Sequence, residues 1–202
     1  MSNQQIFLIH GGTPGTSYEL YIQSLKEKRP KLEWILSRKD WKNELQDQLG
    51  SGFDVYLPQM PNKQNAQYEE WKLWFEKYIQ LLDDNTVFIG YSLGAIFLVK
   101  YLSENVLSKR IKATFLLGTP FDNEGMDKEP LNSFLRVGEL KNFEKQAGKL
   151  FFYHSEDDFA VPFNHLSKYQ KELPLAQFRS LKDRNHFLQA EVPELIIDIK
   201  KL

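Results

Sequence analysis

The sequence contains no cysteine. That absence excludes disulfides, a thiol nucleophile and thiolate metal sites together, and it fits a reducing compartment. Histidine is scarce, with only four in 202 residues, so any imidazole chemistry has few places to reside. An excess of one charge is also missing. The 26 basic and 27 acidic residues leave a formal net charge of −1, which provides neither a basic field for nucleic acid nor an acidic tail. Long hydrophobic runs are absent as well. The longest, Val87 to Val99, is interrupted by glycines and a serine and stops at Lys100. It falls short of the roughly 18–20 residues that a membrane span needs. The opening MSNQQIFLIHGG carries neither the basic region nor the apolar core of a signal peptide. A soluble, cytoplasmic protein is expected, with no membrane or nucleic-acid partner. No repeat, low-complexity tract or Gly/Ser-rich linker divides the chain. Residues 1–202 therefore read as a single domain, long enough to bury a sizeable core.

What is present is an alternation of two patterns. Short apolar runs occur at 5–10, 53–58, 86–91, 113–118, 150–155 and 177–182. Near-continuous runs of this kind suit strands buried on both faces of a parallel sheet; the last alternates more and suits an edge. Between them, residues 66–82 place Tyr68, Trp71, Trp74, Phe75, Tyr78, Ile79 and Leu82 on one helical stripe, and 39–49 place Trp41, Leu45 and Leu49 on another. Residues 93–107 read as a deeply buried helix. Pro193 suits the first turn of a last helix carrying Leu195, Ile196 and Ile199. The alternation predicts an α/β fold: three layers, α/β/α, around a mostly parallel, doubly wound sheet of about six strands. Two connections, 13–38 and 121–148, are long enough to act as lid or cover segments.

The stretch Gly90-Tyr91-Ser92-Leu93-Gly94 lies where an apolar strand meets an apolar helix. A Gly-x-Ser-x-Gly pentapeptide at such a corner makes a sharp turn that lifts the serine hydroxyl clear of the sheet. Reactive groups of open α/β sheets gather at the carboxyl ends of strands, where Ser92 sits. The serine needs a base. His186, in LKDRNHFLQAE after the sixth run, opens onto the same edge. His10 suits an anchor for the loop after the first strand, and His154 and His165 lack metal-ligand spacing. The base in turn needs a carboxylate. HSEDDFAVPF offers Glu156, Asp157 and Asp158, and periodicity does not choose among them. The competing reading of GGTPG as a phosphate loop lacks the full glycine pattern and any following Gly-Lys-Ser/Thr.

With a His-Gly pair after the first strand, GYSLG, an acid loop ending in Val-Pro and a late histidine, the chain resembles the α/β-hydrolase superfamily over nearly its whole length. Within it, the chain looks most similar to the compact serine hydrolases of the YdeN and retinoblastoma-binding-hydrolase type. The spacing of the three residues leaves no room for a large cap domain. The resemblance implies Ser92, Asp158 and His186 as a catalytic triad, the acid standing three residues before the Val of the Val-Pro pair. Asp157 is the adjacent alternative and Asp122 the alternative from the fourth strand. It also implies an oxyanion hole from the backbone amides of Leu93 and Gly12, with Thr13 as the substitute donor. Thr13, Tyr91, Phe121, Phe159, Val161 and Phe187 stand near the site in sequence and are candidate pocket walls. The expected reaction is hydrolysis of a small carboxylic ester, thioester or lactone through an acyl-enzyme, with no metal or organic cofactor. A non-catalytic binding protein on the same fold, or a serine peptidase or acyltransferase, are the alternatives.

Overall fold

The computed structural model describes residues 3–32, 35–37 and 39–202; parts of the 13–38 connection, at 33, 34 and 38, lie outside the described residues. Strands β1 (Gln4–Ile9), β2 (Phe53–Tyr56), β3 (Thr86–Tyr91), β4 (Ile111–Leu117), β5 (Lys149–Ser155) and β6 (Gln177–Leu181) form one sheet in the order β2-β1-β3-β4-β5-β6. Every pairing is parallel. The helices are α1 (Tyr18–Glu27), α2 (Trp41–Leu49), α3 (Tyr68–Ile79), α4 (Leu93–Glu104), α5 (Lys141–Gln146), α6 (Asn164–Glu172) and α7 (Pro193–Lys200). Among the described residues, no helix is long and apolar enough to cross a membrane.

Alternation along the strands sorts side chains into two cores. Ile6, Leu8, Val87, Ile89 and Phe115 face Trp41 and Leu45 of α2 and Leu195 and Ile199 of α7. Phe7, Ile9, Phe88, Leu116 and Phe152 face Trp71 and Phe75 of α3, the buried face of α4, Phe143 of α5 and Tyr169 of α6. Helix α4 is buried from Leu93 to Leu102, as its largely apolar sequence requires.

The expected windows shift at their ends for local reasons. Strand β2 stops at Tyr56, two residues before Pro58, which has no N–H to offer the ladder. Helix α3 starts at Tyr68 because Ala66 is engaged elsewhere: its amide donates to the Thr13 carbonyl at 2.9 Å, and its carbonyl accepts from Gly15 at 2.6 Å. In 13–38, α1 buries none of its side chains. In 121–148, by contrast, Phe134 and Phe143 are fully buried, so the latter half is built into the core beside α3 and α4.

The chain runs from β1 outward to β2, then returns to the other side of β1 for β3 and proceeds steadily to β6. The direction of winding reverses between β1 and β3. Connections diverge there and leave a crevice outside the strand ends. The segments that end at this crevice are His10-Gly11-Gly12 and Tyr91-Ser92-Leu93.

Candidate active site

Ser92 has φ 54 and ψ −118, a conformation that L-residues seldom adopt. Its amide donates to Leu117 O at 2.9 Å, and its carbonyl accepts from Ala95 and Ile96, so strand and helix clamp the corner from both sides. The flanking glycines make the corner sterically feasible. A Cβ on Gly94 would lie 2.3 Å from Ile9 O, and one on Gly90 would lie 2.6 Å from Ala95 Cα. Both obstacles are backbone. Gly94→Ala is therefore expected to cost about 3 kcal/mol or more, since α4 must move off β1. Chemical denaturation of the variant, with an unchanged m-value, checks this.

His186 Nε2 lies 2.9 Å from Ser92 Oγ, and His186 Nδ1 lies 2.8 Å from Asp158 Oδ2. The Asp158 side chain is 0% exposed. Its Oδ1 accepts from the amides of Ala160 and Val161, each at 2.9 Å. These backbone donors replace the hydration that the buried carboxylate has lost. The loop bearing His186 is tied on several sides. Tyr91 Oη donates to His186 O at 2.7 Å, and Trp41 Nε1 donates to Phe187 O at 3.1 Å. Burial, with the Asp158 charge adding to it, pushes the Tyr91 phenol well above its ordinary value, so it remains a neutral donor.

The alternative acids are occupied differently. Asp157 accepts from Ser155 Oγ and, at 3.0 Å, from Asn185 N; it links the acid loop to the histidine loop. Asp122 is bonded to Lys168, with Oδ2 at 2.6 Å from Nζ. Glu156 is exposed.

On the other side of Ser92, Gly12 and Leu93 both border the crevice. Leu93 is the first residue of α4, where helix geometry leaves its N–H without an intrahelical partner. The Thr13 amide is taken: it donates to Lys63 O at 2.8 Å. His10 fixes this loop. Its Nδ1–H donates to Gly11 O at 2.6 Å and its Nε2 accepts from Met60 N at 2.9 Å, which settles the tautomer.

His154 and His165 also brace loops. His154 Nε2 donates to Val161 O at 3.0 Å, next to the amide that holds Asp158. His165 Nδ1 accepts from Phe121 N at 2.9 Å and its Nε2 donates to Glu124 O at 2.8 Å. Burial lowers the pKa of His10, His154 and His165 below 6.5. The folded state therefore binds fewer protons at these rings than the unfolded chain does. Their contribution is intact above 6.5 and is lost as pH falls below it. Thermal unfolding followed from about pH 7.5 down to about pH 5 is expected to show Tm falling, with a shallower fall in His165→Gln.

The crevice has a volume of about 300 Å³. Tyr91 and Val161 line it; Thr13, Phe121 and Phe187 do not. Phe187 is fully buried in the α2/α7 core, and Phe121 packs on Tyr169 at 4.9 Å between ring centroids. Phe159 is exposed and borders an adjoining hollow with Gly125, Met126 and Glu129. Sequence reading missed Lys42, Lys63, Pro120, Met126, Glu129 and Leu131 as walls. They are distant from Ser92 in sequence and belong to no motif.

An all-parallel six-stranded sheet, with a strained serine after β3 and a histidine loop after β6, defines an α/β-hydrolase. The chain belongs to the serine hydrolase family, whose sequence pattern matches residues 36–191. It is similar to serine hydrolase RBBP9 of Rattus norvegicus, with 24% identity over 152 residues, covering 75% of this chain and 78% of that protein. The ydeN gene product from B. subtilis superposes with a TM-score of 0.73 at 18% identity, covering 98% of both chains. A carboxylesterase structure from the thaumarchaeon Nitrososphaera gargenis superposes with a TM-score of 0.60 at 14% identity, over 98% of this chain and 89% of the other. The resemblance to small hydrolases of the YdeN and retinoblastoma-binding type thus holds in both sequence and fold.

Proposed function

We propose that the protein hydrolyses a small carboxylic ester, or a thioester or lactone, through an acyl-enzyme on Ser92. The observation that carries this reading is the hydrogen-bonded series Ser92 Oγ–His186–Asp158 at the crevice. His186 Nε2 takes the Ser92 proton as Oγ attacks the carbonyl carbon. The carbonyl oxygen gains negative charge and is held by the amides of Gly12 and Leu93, with the N-terminus of α4 behind them. His186 then gives its proton to the leaving alcohol, the C–O bond breaks, and the acyl group stays on Ser92. Water, deprotonated by His186, attacks the acyl carbon and restores Oγ–H. Asp158 holds Nδ1–H throughout and stabilises the imidazolium. An ester is favoured because its alkoxide leaves more readily than an amine, and the named carboxylesterase shares the fold. The 13–38 and 121–148 connections act as cover elements in this reading, with Pro14 from the first and Met126, Glu129 and Leu131 from the second lining the crevice.

Labelling by a fluorophosphonate probe tests it. One adduct on Ser92 by peptide mapping is expected, formed far more slowly in His186→Ala. Absence of an adduct on folded protein overturns the reading.

A further inference from the structure

The crevice beside Ser92 is electrically lopsided. Lys42 and Lys63 line it on the side of His10-Gly11-Gly12, and Glu129 stands alone among apolar residues at the Met126–Leu131 side. Lys42 is largely sequestered, its side chain only 15% exposed. Its Nζ lies 4.7 Å from the centre of the Tyr91 ring, next to the nucleophile. One N–H goes to Asp40 Oδ2 at 2.6 Å and the ammonium lies over the Trp41 and Tyr91 rings, with no further oxygen or nitrogen acceptor among the described residues. Lys63 stands close enough to disfavour protonation of both Lys42 and His10, and among the described residues no carboxylate lies within ion-pair distance of it. Asp40 pairs with Lys42, and Lys63 has no ion-pair partner among the described residues, Glu129 lying at the other side of the crevice. Burial lowers the pKa of Lys42, outweighing the Asp40 carboxylate, which raises it, and the Lys63 charge lowers it further, as expected of an ammonium that has lost water without gaining a full complement of acceptors.

Resting on the serine-hydrolase reading above, we propose that the substrate carries an anionic group, a carboxylate or an equivalent oxyanion, held by Lys42 and Lys63 while its ester carbonyl lies at Ser92. The anion supplies the acceptors that Lys42 lacks and neutralises the second cation. Charge-assisted contacts in a partly enclosed site discriminate strongly against a neutral isostere. The apolar wall of Met126, Leu131 and Val161 receives the other half of the substrate.

The test compares matched probes: p-nitrophenyl hemiglutarate against p-nitrophenyl pentanoate, and 3-carboxyphenyl pentanoate against phenyl pentanoate. The two pairs place the anion on the acyl and the alcohol half in turn. At least one anionic probe is expected to exceed its neutral partner about tenfold in kcat/KM, with the preference eroding as salt is added. Lys63→Met should reduce that ratio, Lys63→Glu should reverse it, and Lys42→Met, where folded, should also reduce it. No preference in either pair, or a preference indifferent to Lys63, overturns the proposal. Fluorophosphonate labelling of the same preparations separates the two readings: a labelled enzyme without anion preference overturns only the anion site. If no label forms, binding of glutarate against 1,5-pentanediol to Ser92→Ala decides the anion site without chemistry. Tighter glutarate binding that is lost in the Lys63→Glu background supports it, and equal binding overturns it.

Discussion

Ser92→Ala is expected to lower kcat on p-nitrophenyl esters by about 10⁵-fold or more, because the oxygen that forms the acyl-enzyme in the proposed reaction is gone while the remaining groups offer only modest residual catalysis. Steady-state rates with the variant purified free of wild-type carry-over check this. Ser92→Gly should be equally inactive, yet the two variants should differ in stability. Both lose the 2.9 Å contact to His186. Only glycine relaxes the φ of 54 at the corner. Ser92→Gly should therefore be more stable than Ser92→Ala by about 1 kcal/mol in urea denaturation. Equal stabilities would show that the corner carries no backbone strain.

Asp158→Asn is expected to lower kcat by about 10⁴-fold with little change in KM. The bonds of the carboxylate dictate the direction of the effect. Oδ1 is committed to the Ala160 and Val161 amides, which an asparagine carbonyl would keep. The new NH2 group then faces His186 Nδ1 in place of Oδ2. Nδ1 lies nearer to Oδ2, at 2.8 Å, than to Oδ1, at 3.0 Å, so the NH2 group favours an accepting Nδ1; Nε2 then carries the hydrogen and cannot take the serine proton. Asp157→Asn tests the neighbouring acid. Asp157 joins the loops through Ser155 and Asn185, so its variant should lose stability of about 1 kcal/mol and less than about tenfold in kcat. A larger kinetic loss at Asp157 than at Asp158 would transfer the acid role to Asp157.

Much of this was readable in the chain. The six apolar runs fell within a few residues of the six strands because strands buried on both faces leave a continuous apolar signature. Ser92 was legible because its pentapeptide sits at a strand-to-helix corner, a context that few serines share. His186 was legible by scarcity, as the one histidine of four in a loop at the proper sheet edge. The acid was not readable from pattern. Asp157 and Asp158 are adjacent, and which one reaches His186 depends on the turn that points Oδ1 of Asp158 at the Ala160 and Val161 amides. The walls were least legible. Phe187 looked like a neighbour of the site because it follows His186, but its positive φ of 55 and the Trp41 bond to its carbonyl turn the ring into the core.

The sequence by itself determined the alternating architecture, the serine corner and the late histidine loop that comes to face it, because each is written in local periodicity or in a short motif whose steric demands are local. Tertiary structure alone decided which carboxylate meets the imidazole, which aromatics face the crevice, and that Lys42 and Lys63 line the same crevice as Ser92. Those are contacts between segments far apart in the chain. They exist because the reversal of winding between β1 and β3 brings the ends of separate connections to one crevice. No local pattern encodes that meeting; only the packed sheet does.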